Sequence, residues 1–274
     1  LRKGIELSYR ATWGNALFAN ISAMKQHLTI LTGASRGVGL AMAQQLLKPG
    51  NVLLCISRNV NPALATAAQN ADVPLTQWTQ DLADGVGAID RLREWLNSQN
   101  PADFASVSLI NNAGVIPPIV PLRQSNPADL ALALRVGLEA PMALSAAFLG
   151  GTQSWPIPRK VLNISSGLGR YPMASQAGYC AAKAGMDHFT RCLALDEALH
   201  ANGAKVCALA PGVIDTDMQV QLRGAAGEAF PDQSKFLQLT AQGQLSSPEA
   251  AAENVLRFLA SPDFGGEPVA DVRG

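Results

Sequence analysis

Tyr179 and Lys183 stand four residues apart in YCAAK, a spacing that puts both side chains on one face of a helix. An ammonium beside a phenol stabilises the phenolate and draws the tyrosine pKa toward neutrality, which suits the phenol to general acid or base work. Alone, this spacing is common by chance, and an exposed helical pair is the simpler reading. Ser165 and Ser166 end the apolar run VLNISS, where a hydroxyl could point into the same crevice. Serines at such ends more often cap or turn the chain.

A second constellation is Thr32-Gly33-Ala34-Ser35-Arg36-Gly37-Val38-Gly39. Its glycines let the backbone turn tightly and approach a pyrophosphate, and the helix that follows offers free N–H groups and the positive end of its dipole. Glycine is also ordinary turn punctuation, so the signal gains weight only from its place between a strand and a helix. The third is Ser57-Arg58, just past the second strand-like run. An acidic residue there would grip the adenosine ribose hydroxyls, whereas an arginine suits a 2′-phosphate. Arg36 could flank the same phosphate; the bland alternative is a pair of surface arginines.

Elements that would hold these residues alternate along the chain. Strand-like runs fall at 27–32, 51–57, 73–79, 104–114, 161–166 and 204–212, with a short terminal one near 267–272. Between them lie helical patterns at 40–48 (stopped by Pro49-Gly50), 62–70, 85–99, 129–149 and 176–200, with another at 248–260. Strand–helix alternation at this spacing predicts an α/β fold, a doubly wound parallel sheet of about seven strands with helices on both faces. No repeat or linker divides residues 24–274, which read as one domain. The polar, glycine-containing segment 217–245 reads as a lobe that covers the ligand crevice.

Composition narrows the function classes. The chain has 274 residues, 21 Lys+Arg against 21 Asp+Glu, and 48% hydrophobic residues, enough apolar surface to bury a core. A net charge of zero argues against nucleic-acid or polybasic membrane binding. Charged residues make up 15%, against about 25% in an average domain. That fits a subunit partly covered in an oligomer, and an alanine-rich composition explains it equally. The four cysteines form no CxxC pair and the three histidines are scattered, so reduced thiols in a cytoplasmic protein are expected, with no metal site. No run of 18 or more apolar residues predicts a spanning helix. Met24 stands just before the first strand-like run, so residues 1–23 are expected to be a flexible extension.

TGASRGVG, NNAG (111–114), NISS followed by YCAAK, and APG (210–212) stand in order. Together they resemble the short-chain dehydrogenase/reductase family over essentially residues 27–272. The resemblance implies NADP(H) as cofactor, held by Gly33, Ser35, Arg36, Gly37, Val38 and Gly39 and by Ser57 and Arg58. It adds Asp81 at the adenine, Asn111, Asn112, Ala113 and Gly114 at the end of strand four, and Pro211, Gly212, Val213 and Thr216 at the nicotinamide. Ser166, 13 residues before Tyr179, would complete a catalytic set with Tyr179 and Lys183; the last two also meet the cofactor. The implied reaction is hydride transfer to a carbonyl, with Tyr179 as proton donor and Ser166 on the oxyanion.

The stretches YCAAKAGMDHFTRCLALDE, LAPGVIDTDMQ and FGGEPVADV resemble sepiapterin reductases and bacterial benzil-type diketone reductases, whose substrates are pterin side-chain ketones or vicinal dicarbonyls. Two departures stand out. The family's helix asparagine aligns with Gly137, and the pterin-anchoring aspartate aligns with Ala270, its neighbour Asp271 facing the other way on a strand. The resemblance also implies a homodimer, or a tetramer, through helices 129–149 and 176–200. Alternative readings are a non-catalytic NADP(H)-binding regulator on the same fold, which Gly137 would favour, and an NAD-dependent alcohol dehydrogenase, which Ser57-Arg58 opposes.

Overall fold

The computed structural model describes residues 25–273; the extension expected at residues 1–23 lies outside them. Seven strands form one parallel sheet: β1 (Gln26–Thr32), β2 (Asn51–Ser57), β3 (Leu75–Thr79), β4 (Phe104–Asn111), β5 (Arg159–Ile164), β6 (Lys205–Ala210) and β7 (Val269–Asp271). Their order is β3-β2-β1-β4-β5-β6-β7. β1 therefore pairs with β2 on one side and β4 on the other, and the chain changes direction across the sheet there. In such a sheet the crevice at the carboxyl ends of the strands on either side of that switch is where ligands bind.

Strands buried on both faces need apolar side chains at successive positions, and β1 shows how they divide. Leu28 and Ile30 join Val107 and Leu109 of β4 in one layer; Leu31 joins Ile110 in the other. The first layer is closed by α3 (Gly85–Asn97), α5 (Ala140–Gly151) and α6 (Ala177–Ala198), through Leu92, Leu144, Phe148 and Leu193. The second is closed by α1 (Gly37–Gln45), α2 (Pro62–Asn70) and α9 (Pro248–Ala260), through Met42, Leu64 and Val255.

The helix expected over 129–149 is in fact three pieces. α4 (Pro127–Leu134) is capped by the Asn126 side chain on the Ala128 N–H at 2.9 Å. A π turn follows over Arg135–Glu139, and only then does α5 begin. Pro141 supplies the reason: in a regular helix its ring would strike the Gly137 carbonyl and its missing N–H would leave that carbonyl unpaired. Widening the turn just upstream relieves the clash. The whole stretch Pro127–Gly151 is long and apolar enough to cross a membrane, but half of it is buried inside this fold.

Segment 217–245 carries α7 (Asp217–Gly224) and α8 (Gln233–Ala241). Its apolar residues form a small core of their own, Leu222, Phe230 and Phe236 with Ile119 from the loop after β4. The lobe is thereby fastened above the carboxyl ends of β4 and β5.

Candidate active site

Local backbone geometry explains the glycine loop. Gly33 and Gly37 have φ of +71° and +55°, a region where a side chain strains the chain. Gly39 is needed for a different reason: a Cβ there would lie 2.1 Å from the Gly33 carbonyl oxygen and 2.5 Å from Asn112 Nδ2. α1 starts at Gly37 with no side-chain cap and no acid in its first turn, so its first N–H groups point at the crevice without a competing carboxylate. Asn112 props the loop from below, donating from Nδ2 to the carbonyls of Thr32 at 3.0 Å and Gly33 at 3.3 Å. The Thr32 hydroxyl oxygen accepts from the N–H groups of Asn112 and Ala113 at 2.9 and 3.0 Å. Asn111 is buried and ties β4 to β5 through Asn163, 2.9 Å away.

Other expected cofactor residues ring the same crevice. At the end of β2 the Ser57 hydroxyl is buried without a hydrogen-bond partner, and Arg58 beside it is exposed. Asp81 is exposed, its carboxylate accepting from the Ala83 N–H at 2.9 Å. Thr216 faces the loop from across the crevice, its methyl 3.9 Å from where a Gly37 Cβ would stand. Gly212 turns the Pro211–Val213 segment with φ of +87°. An uncapped helix end, a loop with no room for side chains and an orphaned hydroxyl are what a dinucleotide needs, so these residues fit one. Two side chains do other work. Val38 packs on the core, and Arg36 is ion-paired with Asp217 of the lobe at 2.7 Å.

The residues expected to do chemistry come together beside this cradle. Ser166 caps the 3-10 turn Gly167–Gly169, its oxygen accepting from the Leu168 N–H at 3.2 Å. Tyr179 and Lys183 are both buried on α6. Lys183 Nζ lies 5.8 Å from the Tyr179 ring centre and donates to the Ile164 carbonyl at 2.7 Å. Burial pushes the Tyr179 phenol up to about 12, a hydrogen bond with the Ser166 side chain pulling the other way. Burial also lowers the Lys183 ammonium to about 8, against the pull of Asp187. The depression of the tyrosine pKa expected from YCAAK is therefore not what the fold produces. The ammonium turns to a carbonyl, and desolvation of the phenolate dominates. At neutral pH the phenol keeps its proton, which is the state a proton donor requires.

Sequence spacing did not single out Asp187. It lies four residues past Lys183 and eight past Tyr179, and is fully buried. An acidic residue on a long helix reads as solvated, so only that recurrence of four could have drawn notice.

A cavity of ≈ 350 Å³ opens between Ile116–Ile119 of the loop after β4 and Gln221, Gly224 and Ala225 of the lobe. Pro117 lies 3.7 Å from where a Cβ on Gly178, next to Tyr179, would stand. The segment 167–175 joins the lobe, with Met173 packed on its apolar core and the Ser175 hydroxyl donating to the Ala229 carbonyl. Ala270 packs against the sheet core. Asp271 pairs with Arg273 at 2.7 Å, and that guanidinium reaches to 3.9 Å from a Cβ position on Gly167.

The sequence pattern of the short chain dehydrogenases matches residues 27–226. This chain is a member of that family. Over 235 residues it is 35% identical to the benzil reductase ((S)-benzoin forming) of Bacillus cereus, covering 86% of this chain and 94% of the other. The sepiapterin reductase of Meriones unguiculatus is 31% identical, with 86% and 92% covered. Among solved structures, a short-chain dehydrogenase/reductase from Burkholderia vietnamiensis is 31% identical, covers 91% of this chain and 99% of its own, and superposes with a TM-score of 0.59. Short-chain dehydrogenases use NAD(P)(H), and as one of them this chain is an oxidoreductase with a single α/β domain. Gly137 holds a particular place in this member: a Cβ there would meet the Ala182 methyl at 3.1 Å, so the π turn packs against α6 between Tyr179 and Lys183 by virtue of having no side chain.

Proposed function

We propose that this chain reduces a ketone or vicinal dicarbonyl to an alcohol with NADPH, Tyr179 acting as the proton donor. One observation carries the reading. Ser166, Tyr179 and Lys183 come together at the carboxyl end of β5, beside residues that fit a dinucleotide, and Gly178 next to Tyr179 packs near Pro117, which lines a mostly apolar cavity against the lobe. Similarity to the benzil and sepiapterin reductases supports a carbonyl substrate.

The glycine loop, Asn112 and the Pro211–Val213 segment would hold the cofactor, which would supply the hydride for the carbonyl carbon. Tyr179 gives its phenolic proton to the carbonyl oxygen. The Ser166 oxygen already accepts from Leu168, and its hydrogen, which faces the Tyr179 phenol, would turn to the carbonyl oxygen as charge develops there. Lys183, one helical turn away, would turn its ammonium from the Ile164 carbonyl toward the phenolate left behind. Ile116, Pro117 and Ile119 give this cavity apolar walls, which favour a substrate with apolar flanks. A homodimer is part of the proposal: Leu132, Leu134 and Met142 on α4 and α5, Leu195 on α6 and Leu199 at its C-cap are exposed apolar side chains on the surfaces that would pair.

The direct test is oxidation of NADPH by the purified protein with an aromatic 1,2-diketone, sepiapterin and a simple aldehyde, each repeated with NADH. Turnover of the diketone with NADPH is expected. Tight NADPH binding with no turnover of any carbonyl would favour the regulator instead. Arg58→Ala should raise the KM for NADPH about tenfold, the worth of one charged hydrogen bond to the 2′-phosphate, and leave that for NADH unchanged. Equal effects on both cofactors would remove Arg58 from the phosphate.

The pH dependence follows from the lysine. Its ammonium persists below about 8 and is lost above, while the phenol stays protonated to about 12. kcat/KM for reduction should therefore fall along an alkaline limb centred near pH 8, set by Lys183 and not by Tyr179. An alkaline limb that stayed at the same pH in Lys183→Arg would take Lys183 out of this role.

A further inference from the structure

Asp187 carries a buried carboxylate that the proposed reaction does not use. Acidic residues are almost never this deeply buried unless paired. Its Oδ1 accepts from the Ser165 hydroxyl. Its Oδ2 faces Arg170 Nε at 3.7 Å, and neither of those two atoms makes a hydrogen bond. Ser165 and Arg170 stand on either side of the turn that begins at Ser166, so a single carboxylate engages both ends of it. Gly169 permits the approach: a Cβ there would lie 2.8 Å from Asp187 Oδ2 and 3.0 Å from the Lys183 carbonyl oxygen. Asp187 itself shares a helix face with Tyr179 and Lys183.

We propose that Asp187 is a positioning residue, clamping the Ser166 turn through Ser165 and Arg170 onto the helix face that presents Tyr179 and Lys183. The inference rests on the reductase reading of those three residues. Ser166 reaches the substrate oxygen only if its turn is fixed relative to α6, and a misplacement of about 1 Å can cost about 100-fold in rate. The β5–α6 register near the site is otherwise held by Lys183 on the Ile164 carbonyl and by Asn163 Nδ2 donating to the Thr190 hydroxyl at 2.9 Å, and neither contact touches the Ser166 turn.

The charge of Asp187 acts on Lys183 as well. The groups facing Asp187 are Lys183 and Arg191 from α6, Arg170 and the Ser165 hydroxyl from the chain after β5, and the Cys207 thiol from β6. Burial raises the Asp187 pKa, and Ser165, Arg170, Arg191 and Lys183 oppose the rise. In return Asp187 is the group that opposes the fall at Lys183. Removing the negative charge lets Lys183 shed its proton at lower pH.

Asp187→Asn keeps the size of the side chain and an oxygen for Ser165, and removes the charge. It should lower kcat about 10- to 100-fold, the loss of one charged hydrogen-bonding partner, with KM unchanged. The Lys183 titration, followed by carbon NMR on lysine-labelled protein and assigned with Lys183→Arg, should move to lower pH. That readout needs no substrate, so a wild-type protein inactive on every carbonyl would sink the reductase reading while the clamp is still judged. Ser165→Ala removes the other half of the clamp without adding bulk. It should lower kcat several-fold and leave the Lys183 titration in place, and the double variant should be slower than Asp187→Asn alone, because the asparagine keeps an oxygen for Ser165. The proposal is overturned if Asp187→Asn loses only thermal stability, with kcat and the Lys183 titration unmoved, or if Ser165→Ala leaves kcat unchanged in both backgrounds. Should Asp187→Asn fail to fold, Ser165→Ala decides: unchanged kcat there overturns the clamp.

Discussion

Tyr179→Phe should lower kcat by about 10²- to 10⁴-fold, the usual worth of a positioned general acid, and leave cofactor binding nearly unchanged. The phenol ring is buried, and phenylalanine fills the same volume with one oxygen fewer, so neither the fold nor the cradle should shift. Ser166 keeps its bond from Leu168 and can still polarise a carbonyl, but no proton stands ready at the oxygen. Single-turnover rates, with fluorescence titration of the reduced cofactor alongside, separate the two quantities. A variant that turned over at the wild-type rate would place the proton donor elsewhere and undo the mechanism.

The second large effect belongs to Gly39→Ala. Adding one methyl puts a carbon 2.1 Å from the Gly33 carbonyl oxygen, 2.8 Å from its carbon and 2.5 Å from Asn112 Nδ2. Two of those atoms are backbone and the third props the loop, so nothing can swing aside cheaply. Overpacking of this kind costs about 1–3 kcal/mol, and Tm should fall by about 2–4 °C for each of them. Binding suffers more than stability, because the displaced loop is the one meant to meet the pyrophosphate. Losing two charge-assisted hydrogen bonds there corresponds to about 10²-fold or more in dissociation constant. Calorimetric titration measures it, and Gly150→Ala, whose Cβ meets nothing within 4 Å, is the control. Wild-type affinity in Gly39→Ala would mean that the cofactor binds elsewhere.

How far the sequence alone reaches depends on whether neighbours along the chain decide the feature. β2 and α2 occupy 51–57 and 62–70 as their patterns indicate, because apolar runs and a proline at a helix start are local signals. The α1 helix begins at Gly37, three residues before its apolar pattern does, since the glycine loop itself winds into the first turn. The π turn at 135–139 is hidden from periodicity: a one-residue widening does not disturb an apolar stripe enough to show, and only Pro141 hints at it. Partners distant in sequence are hidden altogether. Nothing near Arg36 announces Asp217, 181 residues on, and nothing near Asp187 announces Ser165. The gathering of Ser166, Tyr179 and Lys183 was legible through motif order. The pKa of Tyr179 was not, because it is set by how much solvent the fold removes.

The order of the strands also bears on how this chain comes off the ribosome. β1 is made first among them, yet it ends in the middle of the sheet, and its second edge must wait for β4; His27 and Ser106, which bond side chain to side chain across that seam, are 79 residues apart. Until then β1, β2 and β3 can pair only with one another, leaving one edge of a very apolar strand open. Such long-range parallel pairing is slow, and open edges invite association with other chains. Synthesis of residues 33–103 is therefore an interval in which β1 carries an open apolar edge, and a pause or chaperone contact there should affect the yield of this protein.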